Sequence, residues 1–576
     1  MMMKMKSGFA GLMAAVAFAV FAGREAVAGD VYDAYLEAKA AWTDKPDAAK
    51  LRKAFFKETF GAGQFNMAEF LALLEKKGDA RFSAAEVARL DWLVRDALGD
   101  VAGPETACGK RIVEVRKRLL DPIAEKTDGI RDGVHDYCAD NYKAPTDPAV
   151  VAALERFRDR KLALMMHFGI YAQLGIYESW PLVDAEAGWS RRQVDWTDGE
   201  AFKREYWSMA RSFNPVRFQP DVWADIAARN GFRYVIFTTK HHDGFCLFDS
   251  KYSDYKVTSP DCPFSAHPKA DVTRAVFDAF RAKGLSVSCY FSKPDWHHPD
   301  YWDNRGLGYR TDRMPSYDVE EDPVRWARYR TFVRNQILEL IGGYGPIDCL
   351  WLDGGQVQPK TGLDINIEEI VAAARKIQPG LIAVDRTVGN TCEDVITPEQ
   401  KVPPQPLTVP WESCITMGTG FSYRYDDRFK SARELIHLLV DVVAKGGNLA
   451  LNVAPGPDGR LPAPAVERMD AMGRWLKTNG AAIYATRVRA PYRTGDWAFT
   501  QGKDKGPVYA IRLWKEDERG VRKLVLPADC AEKVTSVVHL ASGLRAPAEA
   551  HSDGTVSFEL PDGVWADAVA DAFRVE

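Results

Sequence analysis

Ile347-Asp348-Cys349-Leu350-Trp351-Leu352-Asp353-Gly354-Gly355 reads as a short strand that stops abruptly at a carboxylate followed by two glycines. Its apolar residues run almost without polar interruption, as in a strand covered on both faces. Asp353 has no packing role to offer there. It falls where parallel-strand proteins present their chemistry, at the C-terminal end of a strand. An Asp before Gly also suits a helix cap or a turn, so one strand end does not establish a site.

Other runs end in the same way. Arg233 to Thr239 stops at Lys240-His241-His242-Asp243-Gly244-Phe245, and Leu162 to Met166 runs into His167-Phe168-Gly169. Leu285 to Cys289 leads to Tyr290-Phe291-Ser292, and Leu381 to Val384 leads to Asp385-Arg386. Amphipathic helical stretches separate them, at 221–230, 272–283, 323–341, 366–377 and 431–444. Strand and helix in alternation imply parallel βαβ units. Ionisable and aromatic residues at successive strand ends are the pattern of a (β/α)8-type barrel, whose site is assembled from its βα loops. The last run, Gly447 to Val453, precedes a long helix expected over 464–477 with its C-cap at Asn479-Gly480.

Around this catalytic region, expected over 148–487, the texture changes. Residues 29–147 read as a helical accessory domain, with apolar residues at helical spacing in 31–42, 47–59, 66–77, 84–98 and 108–120, closed by Pro145-Thr146-Asp147-Pro148. Residues 488–576 carry short β-prone runs at 508–514, 523–526, 535–539 and 555–560, which predicts a small antiparallel β-sandwich. The first 28 residues have a basic start at Lys4 and Lys6, an apolar stretch from Gly8 to Ala22 and an Ala26-Val27-Ala28 cleavage site. They predict an export signal and a mature chain beginning near Gly29, in the periplasm or outside the cell. The apolar stretch is short for a membrane span.

The chain has 576 residues and a net charge of -4, which gives no reason to expect nucleic acid or an anionic membrane as partner. Cys108 and Cys138 are the pair best placed for a disulfide, and Cys246, Cys289, Cys349 and Cys414 are expected as buried thiols. No C-x-x-C pair suggests structural zinc. For hydrolysis Asp353 needs a second ionisable group. Glu412, in Val409-Pro410-Trp411-Glu412-Ser413-Cys414, is the chosen candidate, expected on a loop beside an aromatic that would raise its pKa. Glu393 and Glu399 compete on the same connection, and Glu178 and Asp243 lie in other loops.

In order along the chain come Met166-His167-Phe168-Gly169, Tyr177-Glu178-Ser179-Trp180, Lys240-His241-His242-Asp243-Gly244-Phe245, Trp351-Leu352-Asp353-Gly354, Trp411-Glu412 and Gly447-Asn448-Leu449-Ala450-Leu451-Asn452-Val453. Together with Trp475 to Tyr484 they resemble the α-L-fucosidases of glycoside hydrolase family 29 over roughly 155–490. The resemblance implies retaining, exo-acting hydrolysis of terminal α-L-fucosyl groups on a fucosylated glycan, without a cofactor or metal. Asp353 would be the nucleophile and Glu412 the acid/base. His167, Glu178, Trp180, His241, His242, Tyr290, Trp351 and Arg386 would surround the sugar. Phe421 stands where a tryptophan is expected in the family. A different class is a metal-dependent hydrolase using His167, His241 and His242 on the same barrel. Adjacent histidines serve one site only if the strand has ended before them.

Overall fold

The computed structural model describes residues 48–77, parts of 90–123, 142–183, 199–302, 313–386 and 390–576 apart from a few short gaps, with isolated positions elsewhere. The expected export signal, the helices expected over 31–42 and 84–98 (all but a few residues) and Cys138 lie outside the described residues. The chain divides into two compact units, Met1–Asp136 with Ala187–Asp195, and Tyr137–Glu186 with Trp196–Glu576. In the first, helices Ala48–Phe60, Gln64–Lys77 and Ala107–Val115 bury Phe56, Phe60, Phe70 and Ile112 in a common core. Among the described residues no helix is long and apolar enough to cross a membrane.

The second unit is built on seven parallel strands: β1 (Leu162–Met166), β2 (Tyr234–Lys240), β3 (Ser286–Ser292), β4 (Cys349–Asp353), β5 (Ile382–Val384), β6 (Glu412–Thr416) and β7 (Asn448–Asn452). Their order is β5-β4-β3-β2-β1-β7-β6. Segment 394–400 joins the two edges. The Asp394 amide donates to Ala383 O of β5, and Ile396 and Glu399 pair in parallel with Trp411 and Cys414 beside and within β6. The sheet therefore curls on itself around Met165, Tyr234, Trp351, Val395, Cys414 and Ala450.

Helix Pro148–Arg160 starts at the expected Pro-rich boundary, where the Asp147 side chain accepts from the Ala149 amide at 2.8 Å. Its Phe157 packs edge-on to Tyr234 at the start of β2, so the helix stops the N-terminal end of the barrel. The expected helices form with small shifts. Ala432–Ala444 begins with a full capping box between Ser431 and Glu434. Ala463–Asn479 departs from expectation at its end: Gly480 has φ -60 and leads into a 3-10 turn instead of a left-handed cap. The four thiols expected to be buried and free are so.

Residues 486–575 form a nine-stranded antiparallel sheet. Strand Arg545–Ala550 pairs with Ser536–His539 through its first half and with Val556–Glu559 through its second. It thus passes between two sheet halves that enclose Phe499, Trp514, Phe558 and Phe573.

Candidate active site

Asp353 closes β4, and its carboxylate is held by groups from four strand ends. The Tyr290 hydroxyl from β3 donates to Oδ2, and Arg386, just past β5, donates from Nε to Oδ1 at 3.2 Å. The Gly354 amide donates to Oδ1 at 2.7 Å, and His242 Nε2 stands 3.7 Å from Oδ2. Burial alone would raise this carboxyl's pKa, but Arg386, His242 and the Tyr290 hydrogen bond hold it well below the usual carboxylate range. Gly354 is required by the turn: its φ is +89, and a Cβ there would lie 2.2 Å from Pro294 Cδ.

Strand β2 ends at Lys240, so His241 and His242 are free of strand alternation and both face the site, their rings 4.3 Å apart. Three polar side chains to which the sequence motifs assign no role orient the imidazoles. Asn452 donates to Phe421 O, which turns its amide oxygen to accept from His167 Nδ1 at 2.8 Å. Ser179 meets His241 Nδ1 at 2.5 Å, and Ser292 meets His242 Nδ1 at 2.6 Å. In each case Nε2 is left for the site. Burial lowers the pKa of His167 and His242 to about 4 and that of His241 well below normal, so all three are neutral near pH 7. Ser292 and Asn452 are the last residues of β3 and β7, a strand-end position that could have signalled them.

Aromatic surfaces complete the enclosure. Tyr290 and Phe421 each lie 5.1 Å from the His167 ring, and half-buried Trp180 stands edge-on to His242 at 5.3 Å. Trp351 lies one layer deeper, stacked under Tyr290 at 5.2 Å, with the Arg386 guanidinium 5.0 Å from its ring. Glu178, expected at the sugar, is buried with φ +35 and bonds a neighbouring loop. Its Oε1 accepts from the Ser422 amide at 2.6 Å, and burial raises its pKa to about 8.

Glu412 requires the main correction. It is not on a loop but opens β6, at the end of the barrel opposite Asp353, and is 1% exposed. Its oxygens accept from the Tyr234 hydroxyl at the start of β2 and from Trp351 Nε1 at 3.2 Å. With helix Pro148–Arg160 beneath it, a leaving group has no route to it. The Pro-rich stretch before Trp411 concealed the strand. Glu399 instead lies near the far end of segment 394–400, on the same side as Asp353. Its side chain is 32% exposed, and it accepts from Nη2 of the arginine that also donates to Asp353. Glu393 is buried at the other end of that segment.

Burial lifts Glu412 from 4.5 to about 7 despite its two donors. The folded chain therefore keeps a proton that the unfolded chain releases near pH 4.5. The associated stabilisation is complete below that pH and is lost as pH rises through about 7, on the order of 3 kcal/mol in all. Glu412→Gln lacks this titration. Thermal melts at pH 5 and pH 8 should show wild type losing more stability than the variant over that interval. Parallel losses would contradict it.

His241, His242 and Asp353 place ligating atoms within 4.8 Å of one another, a group that holds two of the three histidines of the metal reading. The guanidinium on Asp353 opposes a divalent cation there, and His167 lies outside that group, held by Asn452.

A parallel barrel that gathers neutral imidazoles, aromatic faces and an arginine shared by two carboxylates is the site of a carbohydrate hydrolase. A family model described as Alpha-L-fucosidase matches residues 134–481. The chain belongs to that family, glycoside hydrolase family 29. It is 27% identical over 380 residues to the plasma alpha-L-fucosidase of Rattus norvegicus, covering 62% of this chain and 76% of the relative. It is 28% identical over 408 residues to the human tissue alpha-L-fucosidase, covering 66% and 80%. Alpha-L-fucosidase isoenzyme 1 from Paenibacillus thiaminolyticus superposes with a TM-score of 0.60 at 28% identity, covering 74% of this chain and 99% of that one. A family 29 alpha-L-fucosidase from Bacteroides thetaiotaomicron, solved as a covalent intermediate trapped with 2-fluoro-fucosyl fluoride in a Glu-to-Gln mutant, superposes at 0.61 with 25% identity over 77% and 99%.

Proposed function

We propose that this protein is an exo-acting, retaining α-L-fucosidase in which Asp353 is the nucleophile and Glu399 the acid/base. The observation that carries the reading is Arg386, which donates to both carboxylates at the open end of the barrel. Asp353 attacks the anomeric carbon as the glycosidic bond breaks, and Glu399 gives its proton to the departing oxygen. Glu399 then takes a proton from water as that water displaces Asp353. Two inversions restore the α configuration. The neutral imidazoles of His167, His241 and His242 exchange hydrogen bonds with sugar hydroxyls, and Trp180 and Phe421 offer apolar faces to the ring and its methyl group. A fucosylated glycan is the substrate class.

Proton NMR of the first product released from an aryl α-L-fucoside tests the mechanism. α-L-Fucose should appear before mutarotation, and initial release of the β anomer would overturn the retaining reading. The export signal over 1–28 supports an exported enzyme. Amino-terminal sequencing of the mature protein should begin near Gly29, and recovery of an intact Met1 would overturn it.

A further inference from the structure

A second charged pair, Lys293 with Asp385, adjoins that of Asp353 and Arg386. Lys293, the residue after β3, and Asp385, the residue after β5, are 0% and 2% exposed at their side chains and meet at 2.5 Å. We propose that this buried pair positions the catalytic machinery by tying the loop that carries Asp353 to the residue that carries Arg386. The inference rests on Asp353 being the nucleophile.

Lys293 holds the loop that carries Asp353, and Asp385 adjoins Arg386. The Lys293 amide donates to Asp353 O at 2.9 Å, and its Nζ donates to Val357 O, in the turn after Asp353, at 2.9 Å. Pro294 packs against Gly354, where no side chain would fit. Asp385 directly precedes Arg386, whose φ of +54 is a strained value for a residue with a side chain. Asn390 donates to the second oxygen of Asp385 at 2.5 Å, and the Tyr329 hydroxyl fixes Lys293 O at 2.7 Å. A buried ion pair is a poor source of stability compared with apolar residues of the same size. Its geometry here matches a different task, holding the Arg386 side chain and the Asp353 carboxylate in register.

The test uses the full-length enzyme with three variants: Lys293→Met/Asp385→Leu, which removes both charges together, Asp385→Asn, and Lys293→Arg as the conservative change. The double variant should fold, by circular dichroism and melting. Its kcat on an aryl α-L-fucoside should fall roughly 10²-fold with KM within about threefold, as expected for a misplaced reacting group. Its rate of inactivation by 2-fluoro-fucosyl fluoride, which reports attack by the nucleophile alone, should fall in proportion. Asp385→Asn should lie between, and Lys293→Arg should recover part of the rate. A folded double variant with wild-type kcat and inactivation rate overturns the proposal. So does a loss of kcat explained by the unfolded fraction. Asp353→Gly run alongside separates the two readings: if it is inactive while the double variant is not, only the positioning role fails, whereas activity in Asp353→Gly removes the nucleophile assignment itself.

Discussion

Asp353→Gly leaves a folded chain that hydrolyses an aryl α-L-fucoside about 10⁴-fold more slowly than wild type, about 5.4 kcal/mol of transition-state stabilisation. In the proposed mechanism no other group within the site takes over the attack, because the imidazoles bind sugar hydroxyls and Glu399 has the proton-transfer role. Folding survives for a reason visible in the contacts. Removing one partner of a buried ion pair usually costs about 3–5 kcal/mol, but Arg386 keeps Glu399 as its counter-ion, and Tyr290 stays stacked on Trp351. The Asp353 side chain is also 18% exposed, so water can enter the space it leaves. Azide supplied in that space should give β-L-fucosyl azide, since it replaces the nucleophile in a single displacement. Turnover of Asp353→Gly near the wild-type rate, or α-configured azide, would sink the assignment.

The second large effect belongs to Glu399. Glu399→Ala should lose about 10²–10⁴-fold on a fucosylated oligosaccharide, whose leaving oxygen needs a proton. It should lose much less in the first step on a fucoside with an acidic phenol. With the base gone, azide attacks the covalent intermediate, and the product is α-L-fucosyl azide, the opposite anomer from that of Asp353→Gly. Glu412→Ala should show no azide rescue and no dependence of its defect on the leaving group, because that carboxyl is sealed under Trp351. Azide rescue of the Glu412 variant, and none of the Glu399 variant, would return the acid role to Glu412.

The half of the site that the residues announced was the half on regular strands. Asp353, His167 and the 241–242 pair each follow a clear apolar run, so their position at strand ends could be read without coordinates. Trp411-Glu412 misled because a side chain at the start of a strand points into the same barrel interior as one at its end, and local sequence does not state the depth. Val395-Ile396-Thr397-Pro398-Glu399 has the same pattern as the Asp353 run, a β-prone stretch ending in a carboxylate. It is only three residues long before a proline that cannot donate to a sheet, so local sequence does not mark it as a strand. Ser179, Ser292 and Asn452 were missed for another reason: their role is to fix imidazole tautomers, which depends on contacts between distant strands.

Closure of the barrel by segment 394–400 has a consequence for how such an enzyme can be altered. The nucleophile stands on a strand paired on both sides, so changing the length of its surroundings would unmake the sheet. The proton donor stands on a stave attached through a few bonds, with long connections before and after it. Residues can be added to or removed from those connections while the fold persists, and each change moves the donor relative to the departing group. Libraries aimed at new fucosyl linkages are therefore best directed at 401–410, leaving Glu399 and the sugar-holding strands untouched.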